Sequence, residues 1–341
     1  MYVDTQTMPA LFALLTQLNA QKSLLGETIN GSLGQLNEIA TKIGFELLAL
    51  ESYDKAELCL TIAAAQGKAQ AQYAMATCVT RRDGGFRIAS QETRQWLRLA
   101  AAQDYVPALM RLGDTQSLRK AAEILTPKAE AGDTQAMSFL FKLDKDVNWL
   151  KKAVALNDSS AQFELAEAYH DTPQLVPNAV ERHALIEELR QKAADGGSVP
   201  ALAERVFSPT STADILEKQQ RLVQLALLGQ LDALVEYGYA LAGMPHINQG
   251  LSLAVQRHTV APRTYGLERD FAKAYAVLGM VLPKLTNPLA AENLQHDMDA
   301  IWHQMTPQQY SASEAIRVSL HERIEHVFKS IAPFIIVGAP H

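Results

Sequence analysis

A chain of 341 residues with 48% hydrophobic and 20% charged side chains is long enough to bury a sizeable core, and by size alone would form about two domains. Its formal net charge of -6, with no run of Lys and Arg, argues against a nucleic-acid partner, because such binding needs a positive field to displace counterions from phosphates. Only Cys59 and Cys78 are present, too few for a disulfide-built fold; they read as two small buried residues at helix contacts, or as a pair that antiparallel helices bring close.

Residues Met1 to Ala10 place no basic residue ahead of their apolar stretch and include Asp4, so a secretory signal is not expected. No stretch approaches the roughly 18 apolar residues of a membrane span. The expected address is the cytoplasm, with the periplasm as the alternative for a chain whose signal has been removed. Residues 1–35 read as an N-terminal capping helix, apolar from Leu11 to Leu18 and interrupted by a flexible break at Gly31 and Gly34. A detachable helix that docks a partner is the other reading.

From residue 36 to residue 285 one pattern recurs. Turns centred on Gly67, Asp104, Gly132, Asn157, Gly197 and Gly229 are each followed four residues on by alanine: Ala71, Ala108, Ala136, Ala161, Ala201 and Ala233. Three residues before the turns stand Ala64, Ala101, Ala129, Val154, Ala194 and Ala226. Glycine adopts a left-handed backbone without steric cost, and Asn and Asp are the next most tolerant, so the turn residues are those a tight helix–helix connection requires. Alanine beyond the bend lets two helix backbones approach closely. Repeat architectures grow by units that contact only their neighbours, so one solenoid can use this whole length.

Eight residues after each turn, an apolar stripe runs through Met75, Leu112, Leu140, Leu165 and Tyr237; eight before, through Cys59, Trp96, Ile124, Trp149 and Leu189. Arg205 and Arg221 interrupt it, and the Ser-, Thr- and Pro-rich segment from Phe207 to Thr212 points to a drift of register there, with snorkelled arginine stems as the alternative. Loops of unequal length are expected at Asp83–Gly85 and at Asp171–Asn178, the latter with Pro173 and Pro177. Such insertions project from one face of a solenoid, often the binding face. Candidate partner contacts are Arg81 and Arg82 ahead of the first loop, for an acidic partner, and the aromatics Trp96, Tyr169, Tyr237 and Tyr239. Most aromatics of such repeats are core, but Tyr237 and Tyr239 stand two apart and cannot share a helix face, so at least one is a candidate for exposure.

The turn segments AAAQGKAQAQYAMA (Ala63 to Ala76) and NDSSAQFELAEAY (Asn157 to Tyr169) resemble the Sel1-like repeat, a relative of the tetratricopeptide repeat. YGLERDFAKAYAVLGM (Tyr265 to Met280) is similar to the start of that repeat's second helix, with Gly266, Asp270, Lys273, Ala274, Tyr275 and Ala276 at the matching positions. The resemblance implies an all-α fold, an α-α superhelix of antiparallel helix pairs that binds proteins or peptides on its concave face. It also implies the roles found in that family: adaptors, signalling scaffolds, and immunity proteins that neutralise secreted bacterial toxins. The penicillin-binding or β-lactamase-like activity of some cysteine-rich members is not carried over, since the regular cysteine pair per repeat is missing.

Residues 286–341 read as a C-terminal helical cap and apolar tail. Thr306 is a helix cap with Pro307 at the first helical position, and the tail from Pro333 to Ala339 needs burial against the solenoid, a partner or a second copy. His296, Asp299 and His303 fall on one helix face, where they could hold zinc only with a fourth ligand; a solvated face is the plainer reading. Glu322 and His326 read as a surface pair. No nucleotide-binding glycine loop, nucleophile elbow or zinc-protease motif occurs. The expectation is therefore a non-catalytic scaffold for a protein partner, with no cofactor and no metal. An enzyme using the C-terminal helices is the alternative.

Overall fold

The computed structural model describes residues 13–15, 17–19, 27–49, 52–84, 89–245, 263–285 and 287–335, the side chains of 27–30, 49 and 325–335 excepted. Leu11, Phe12 and Thr16 of the N-terminal apolar run, Gly85, the His326 side chain and, beyond the backbone of Pro333 to Ile335, the apolar tail lie outside the described residues. Helices account for nearly all regular structure, and no strand occurs among the described residues. The chain divides into two compact units, residues 1–145 and 146–336.

The first unit runs α1 (Glu27–Ala49), α2 (Tyr53–Ala65), α3 (Ala69–Arg82), α4 (Gln91–Ala101), α5 (Val106–Leu112), α6 (Thr115–Glu130) and α7 (Thr134–Asp144). The second runs α8 (Val147–Ala155), α9 (Ser159–Asp171), α10 (Ala179–Asp195), α11 (Val199–Phe207), α12 (Ile215–Leu227), α13 (Leu231–Ala242), α14 (Phe271–Val281), α15 (Pro288–Trp302) and α16 (Pro307–Ile335). Within each unit each helix up to α14 packs on the next in sequence, and α16 returns onto α14. This is an all-α helical-repeat solenoid.

All six turn residues have positive φ: Gly67 84°, Asp104 60°, Gly132 95°, Asn157 61°, Gly197 84° and Gly229 76°. Each closes its helix in the same way. The N–H of the turn residue donates to the carbonyl three back, on Ala64, Ala101, Ala129, Val154, Ala194 or Ala226, at 2.9–3.1 Å. The next N–H donates to the carbonyl five back, at 2.9–3.3 Å. Two carbonyls that would otherwise lack partners are thereby satisfied. The alanines four residues beyond the turns are all buried, at most 2% exposed, as close helix approach demands.

The opposite ends are closed by side chains. Ser90, Asp114, Asp146, Asn178, Asp214 and Asp270 cap α4, α6, α8, α10, α12 and α14, each accepting a first-turn backbone N–H. At α16 the cap is reciprocal: the Gln309 N–H donates to Thr306 Oγ1 at 3.3 Å, and the Thr306 N–H to Gln309 Oε1 at 2.9 Å.

The expected break at Gly31 and Gly34 is not there: both lie inside the continuous helix α1. A glycine weakens a helix by about 1 kcal/mol without ending it, and α1 is held by burial of Leu33, Asn37 and Ala40. In the first unit Leu60, Ala63, Ala74, Met75 and Cys78 form the centre of a core between α2 and α3. In the second, Leu202, Leu222, Leu234, Leu278 and Ile301 do so from α11 to α15. Gly238 allows this on α13: a Cβ there would meet Leu278 Cδ2 of α14 at 2.5 Å. Cys59 and Cys78 are both free and fully buried, and burial pushes their thiols up to about 11 and about 12.

Two outcomes follow from these features. A Cβ at Gly132 would touch nothing within 4 Å, so Gly132→Ala meets only backbone strain. It should lower stability by about 1–2 kcal/mol in urea denaturation followed by far-ultraviolet circular dichroism, while Asn157→Gly stays within about 1 kcal/mol of the parent. At about pH 8 both thiols remain protonated and out of reach, so a thiol-specific chromogenic disulfide should label neither until denaturant is added; labelling in the native state would contradict their burial.

Candidate functional site

The residues expected to contact a partner divide sharply once placed. Arg81 is exposed at the end of α3, its guanidinium 5.6 Å from the Tyr53 ring centroid. Arg82 is exposed but tied, to Glu57 of α2 and Glu92 of α4, each at 2.6 Å. Burial raises the Glu57 carboxyl and Arg82 opposes the rise. Arg82 is thus a strut between helices rather than a free contact. Trp96 is half-buried, packed on the core between α2 and α3.

Tyr169, Tyr237 and Tyr239 are core residues, and for these the expectation is corrected. Tyr237 and Tyr239 do face different sides of α13, yet they are only 4% and 7% exposed. The reason is that α13 is buried on nearly every face, with α12 on one side and α14 on another. Tyr239 extends its hydroxyl to Asp297 Oδ2 of α15 at 2.7 Å, a buried hydrogen bond. Lys273 Nζ lies 5.3 Å from the Tyr237 ring centroid.

The expected register drift is also absent. Gly197 and Gly229 keep the turn geometry and Ala201 and Ala233 stay buried, so Arg205 and Arg221 occupy true stripe positions. They are held there by carboxylates. Arg205, with a side chain 11% exposed, makes a bidentate pair with Glu217 of α12, 2.9 Å from Nε and 2.8 Å from Nη2. Its Nη1 reaches Thr212 at 3.1 Å and Glu187 of α10 at 3.4 Å. Arg221 pairs with Asp195 and lies 3.9 Å from the same Glu217. Arg190 of α10 joins Glu167 of α9 at 2.7 Å and Glu204 of α11 at 2.9 Å.

Two adjoining hollows share His170 and His183, and part of this lattice lines the second of them. One, of about 380 Å³, is floored by Ile186 and edged by Pro173 and Arg182. The other, of about 240 Å³, is lined by Glu187, Arg190, Glu204, Arg205 and Thr210–Thr212. The 171–178 loop is drawn down by Arg182, whose Nη1 donates to the Val176 carbonyl at 2.8 Å. Arg190 Nε and Glu204 Oε2 are buried with no hydrogen-bond partner in the protein. Burial raises the Glu204 carboxyl, against the pull of Arg190. The lining therefore offers donors, acceptors and two imidazoles on helices whose positions are fixed.

The C-terminal candidates behave as a solvated face. His296, Asp299 and His303 are exposed; Asp299 accepts a hydrogen bond from Gln295 at 2.9 Å, and His296 lies 3.9 Å from Asp297. Among the described residues no group of three His, Cys, Asp or Glu side chains is placed to hold a metal ion. The same helices carry an aromatic cluster, the half-buried Tyr275 of α14 with the exposed Trp302 of α15 and Tyr310 at the start of α16. Nothing in the local sequence marks these three as neighbours; only tertiary packing brings them together.

Helix pairs closed by left-handed turns, stacked in sequence order, define a helical-repeat protein. No protein-family model matches the chain, and no curated protein matches it. Among solved structures, a protective antigen present in uropathogenic Escherichia coli strains and displaying an SLR fold is 17% identical, over 89% of this chain and 64% of its own, with a TM-score of 0.40. A Sel1 repeat protein from Oxalobacter formigenes is 19% identical over 64% of this chain and 96% of its own, with a TM-score of 0.33. The chain thus spans 64% of the length of the first of these. Both are Sel1-repeat proteins, the family that the turn segments resemble.

The charged lattice makes a thermodynamic statement that can be checked. Removing Arg205 leaves Glu217 and Glu187 facing each other in a partly dry site, so Arg205→Ala should cost about 2–4 kcal/mol. Arg205→Leu combined with Glu217→Leu should recover most of that loss, since an apolar pair of similar volume has no charge to desolvate. Urea midpoints of Arg205→Leu, Glu217→Leu and their combination, each against the parent, give the coupling.

Proposed function

We propose that this chain is a non-catalytic scaffold that binds a partner protein in the cytoplasm, through the loops and helix faces around the two hollows on α9, α10 and α11. One observation carries this reading: the second hollow is lined by charged side chains held by helix-to-helix ion pairs, among which Arg190 Nε and Glu204 Oε2 have no partner of their own. Both hollows combine apolar surface with charged side chains, Arg182 in the first and Glu187, Arg190, Glu204 and Arg205 in the second, which suits the mixed side chains of an approaching protein. Arg190 and Arg205 already have carboxylate partners and Arg182 is turned onto backbone carbonyls, so the site does not present itself as a phosphate receptor.

Within this reading two roles are proposed. As an inhibitor or immunity protein for a secreted bacterial toxin, the chain would hold one partner and suppress its activity. As an adaptor, it would hold two proteins at once.

A photo-crosslinking residue at position 183, compared with one at the exposed Lys151 of α8, tests the scaffold in its host. A partner captured at 183 and not at 151 is expected, and His183→Ala should weaken its binding about five- to tenfold with the fold unchanged. Identical capture at both positions, or none, combined with a turnover activity that co-purifies with the chain, would overturn the reading. Suppression of the partner's activity in a reconstituted assay separates the inhibitor from the adaptor.

A further inference from the structure

Aromatic side chains that serve only cohesion are normally drawn into a core, as Tyr169, Tyr237 and Tyr239 are. The C-terminal cluster is different. Trp302 is 43% exposed and Tyr310 36% exposed, although their ring centroids are only 4.2 Å apart in an edge-to-face arrangement at 85°. Tyr275 stands 6.1 Å from Trp302 and 5.9 Å from Tyr310. Three rings from three helices therefore meet one another, Tyr275 half-buried on the core and Trp302 and Tyr310 open to solvent. Tilted rings of this kind present π faces, whose quadrupole attracts cations.

The electrostatic setting has a matching sign. Residues 146–341 hold 16 Lys and Arg against 22 Asp and Glu, so the whole net charge of -6 lies there. Helix α15, which ends in Trp302, carries Glu292, Asp297 and Asp299 and no Lys or Arg. Asp297 is buried against Tyr239, whereas Asp299 is exposed. Asp299 and Glu314 lie near enough to Tyr275 to help raise its phenol, after burial and Tyr310. One cation competes: Arg317 donates to Glu314 at 2.6 Å, three residues away on the exposed side of α16. An exposed pair of this kind is weak enough to open or to share its carboxylate.

We infer that Tyr275, Trp302 and Tyr310, with Asp299 and Glu314, form a receptor for the arginine side chain of a basic segment on a partner protein. The planar guanidinium stacks on an aromatic face while its edge donates to a carboxylate, which a lysine ammonium does less well. This rests on the reading of the chain as a protein-binding scaffold and adds the chemistry of one contact. The surface is separate from the hollows at His170 and His183, so each can be tested without the other.

The test is calorimetric titration of the full-length protein with a short Gly-Ser peptide carrying two arginines, beside versions carrying lysine, citrulline or glutamate. Arginine should bind best, citrulline at least about tenfold more weakly, and glutamate not measurably; added salt should weaken the arginine peptide. Trp302→Ala should reduce its affinity about tenfold. Should that variant lose its native circular dichroism, Trp302→Phe and Asp299→Asn decide instead, each retaining the helix and each lowering affinity about threefold. Equal affinity for arginine and citrulline would mean plain apolar contact and overturn the inference, as would unchanged binding in all three variants. No arginine binding, or sedimentation showing a dimer that Trp302→Ala splits, would also overturn it and assign the cluster to another role. In either case the outcome of crosslinking at position 183 still stands for the scaffold reading by itself.

Discussion

A helix that stops inside a packed repeat leaves its last carbonyls pointing at another helix rather than at water, and the way those carbonyls are closed governs the rest of the chain. Each unmet carbonyl in a dry place costs about 1–3 kcal/mol. Here one left-handed residue per turn bends the backbone so that two N–H groups fold back onto two of them. The bend also fixes where the next helix begins. That helix starts so close to the last that only a methyl group fits four residues on, hence the buried alanines. Turn residue, acceptor carbonyls and alanine are therefore one device, and the stacking of helices follows from repeating it.

This device was legible because it is local. Which residues tolerate positive φ, and how far along a helix two backbones meet, depend on a few residues of sequence. What depends on a third helix was not legible. Tyr237 and Tyr239 alternate as the sequence implies, but whether a face is wet depends on α12 and α14, which no spacing within α13 reveals. Arg205 and Arg221 look like breaks in an apolar stripe until Glu217, Glu187 and Asp195 are seen opposite them. The glycines of α1 failed as a signal for the converse reason: burial of Leu33 and Ala40 outweighs a local helix propensity. Of the contact residues expected from sequence, Arg81 remains exposed, while Arg82 is bound into the scaffold and the tyrosines into the core.

The pattern that builds the fold and the side chains that could recognise a partner thus occupy different positions. Turn residues and alanines are spent on geometry. The hollows at His170 and His183 lie where an unequal loop, a Pro-containing segment and a charged stripe coincide. The aromatic cluster lies where the regular hairpins end and α16 returns onto α14. In both places the irregularity is what frees side chains from packing, and the regular helices beneath hold them still.

Arg205 and Arg221 stand at mirror-image places, eight residues after one turn and eight before the next, and both face Glu217. An apolar stripe accepts any apolar neighbour, so repeats built only from leucine and alanine could be stacked in another order with little loss. A carboxylate bound by two particular arginines does not allow that. Moved beside a different hairpin, α12 would keep Arg221 but leave Glu217 without its bidentate partner Arg205 of α11, a cost of several kcal/mol. The lattice therefore carries the address of a neighbour: it specifies the order in which these hairpins assemble, a task the uncharged joints cannot perform.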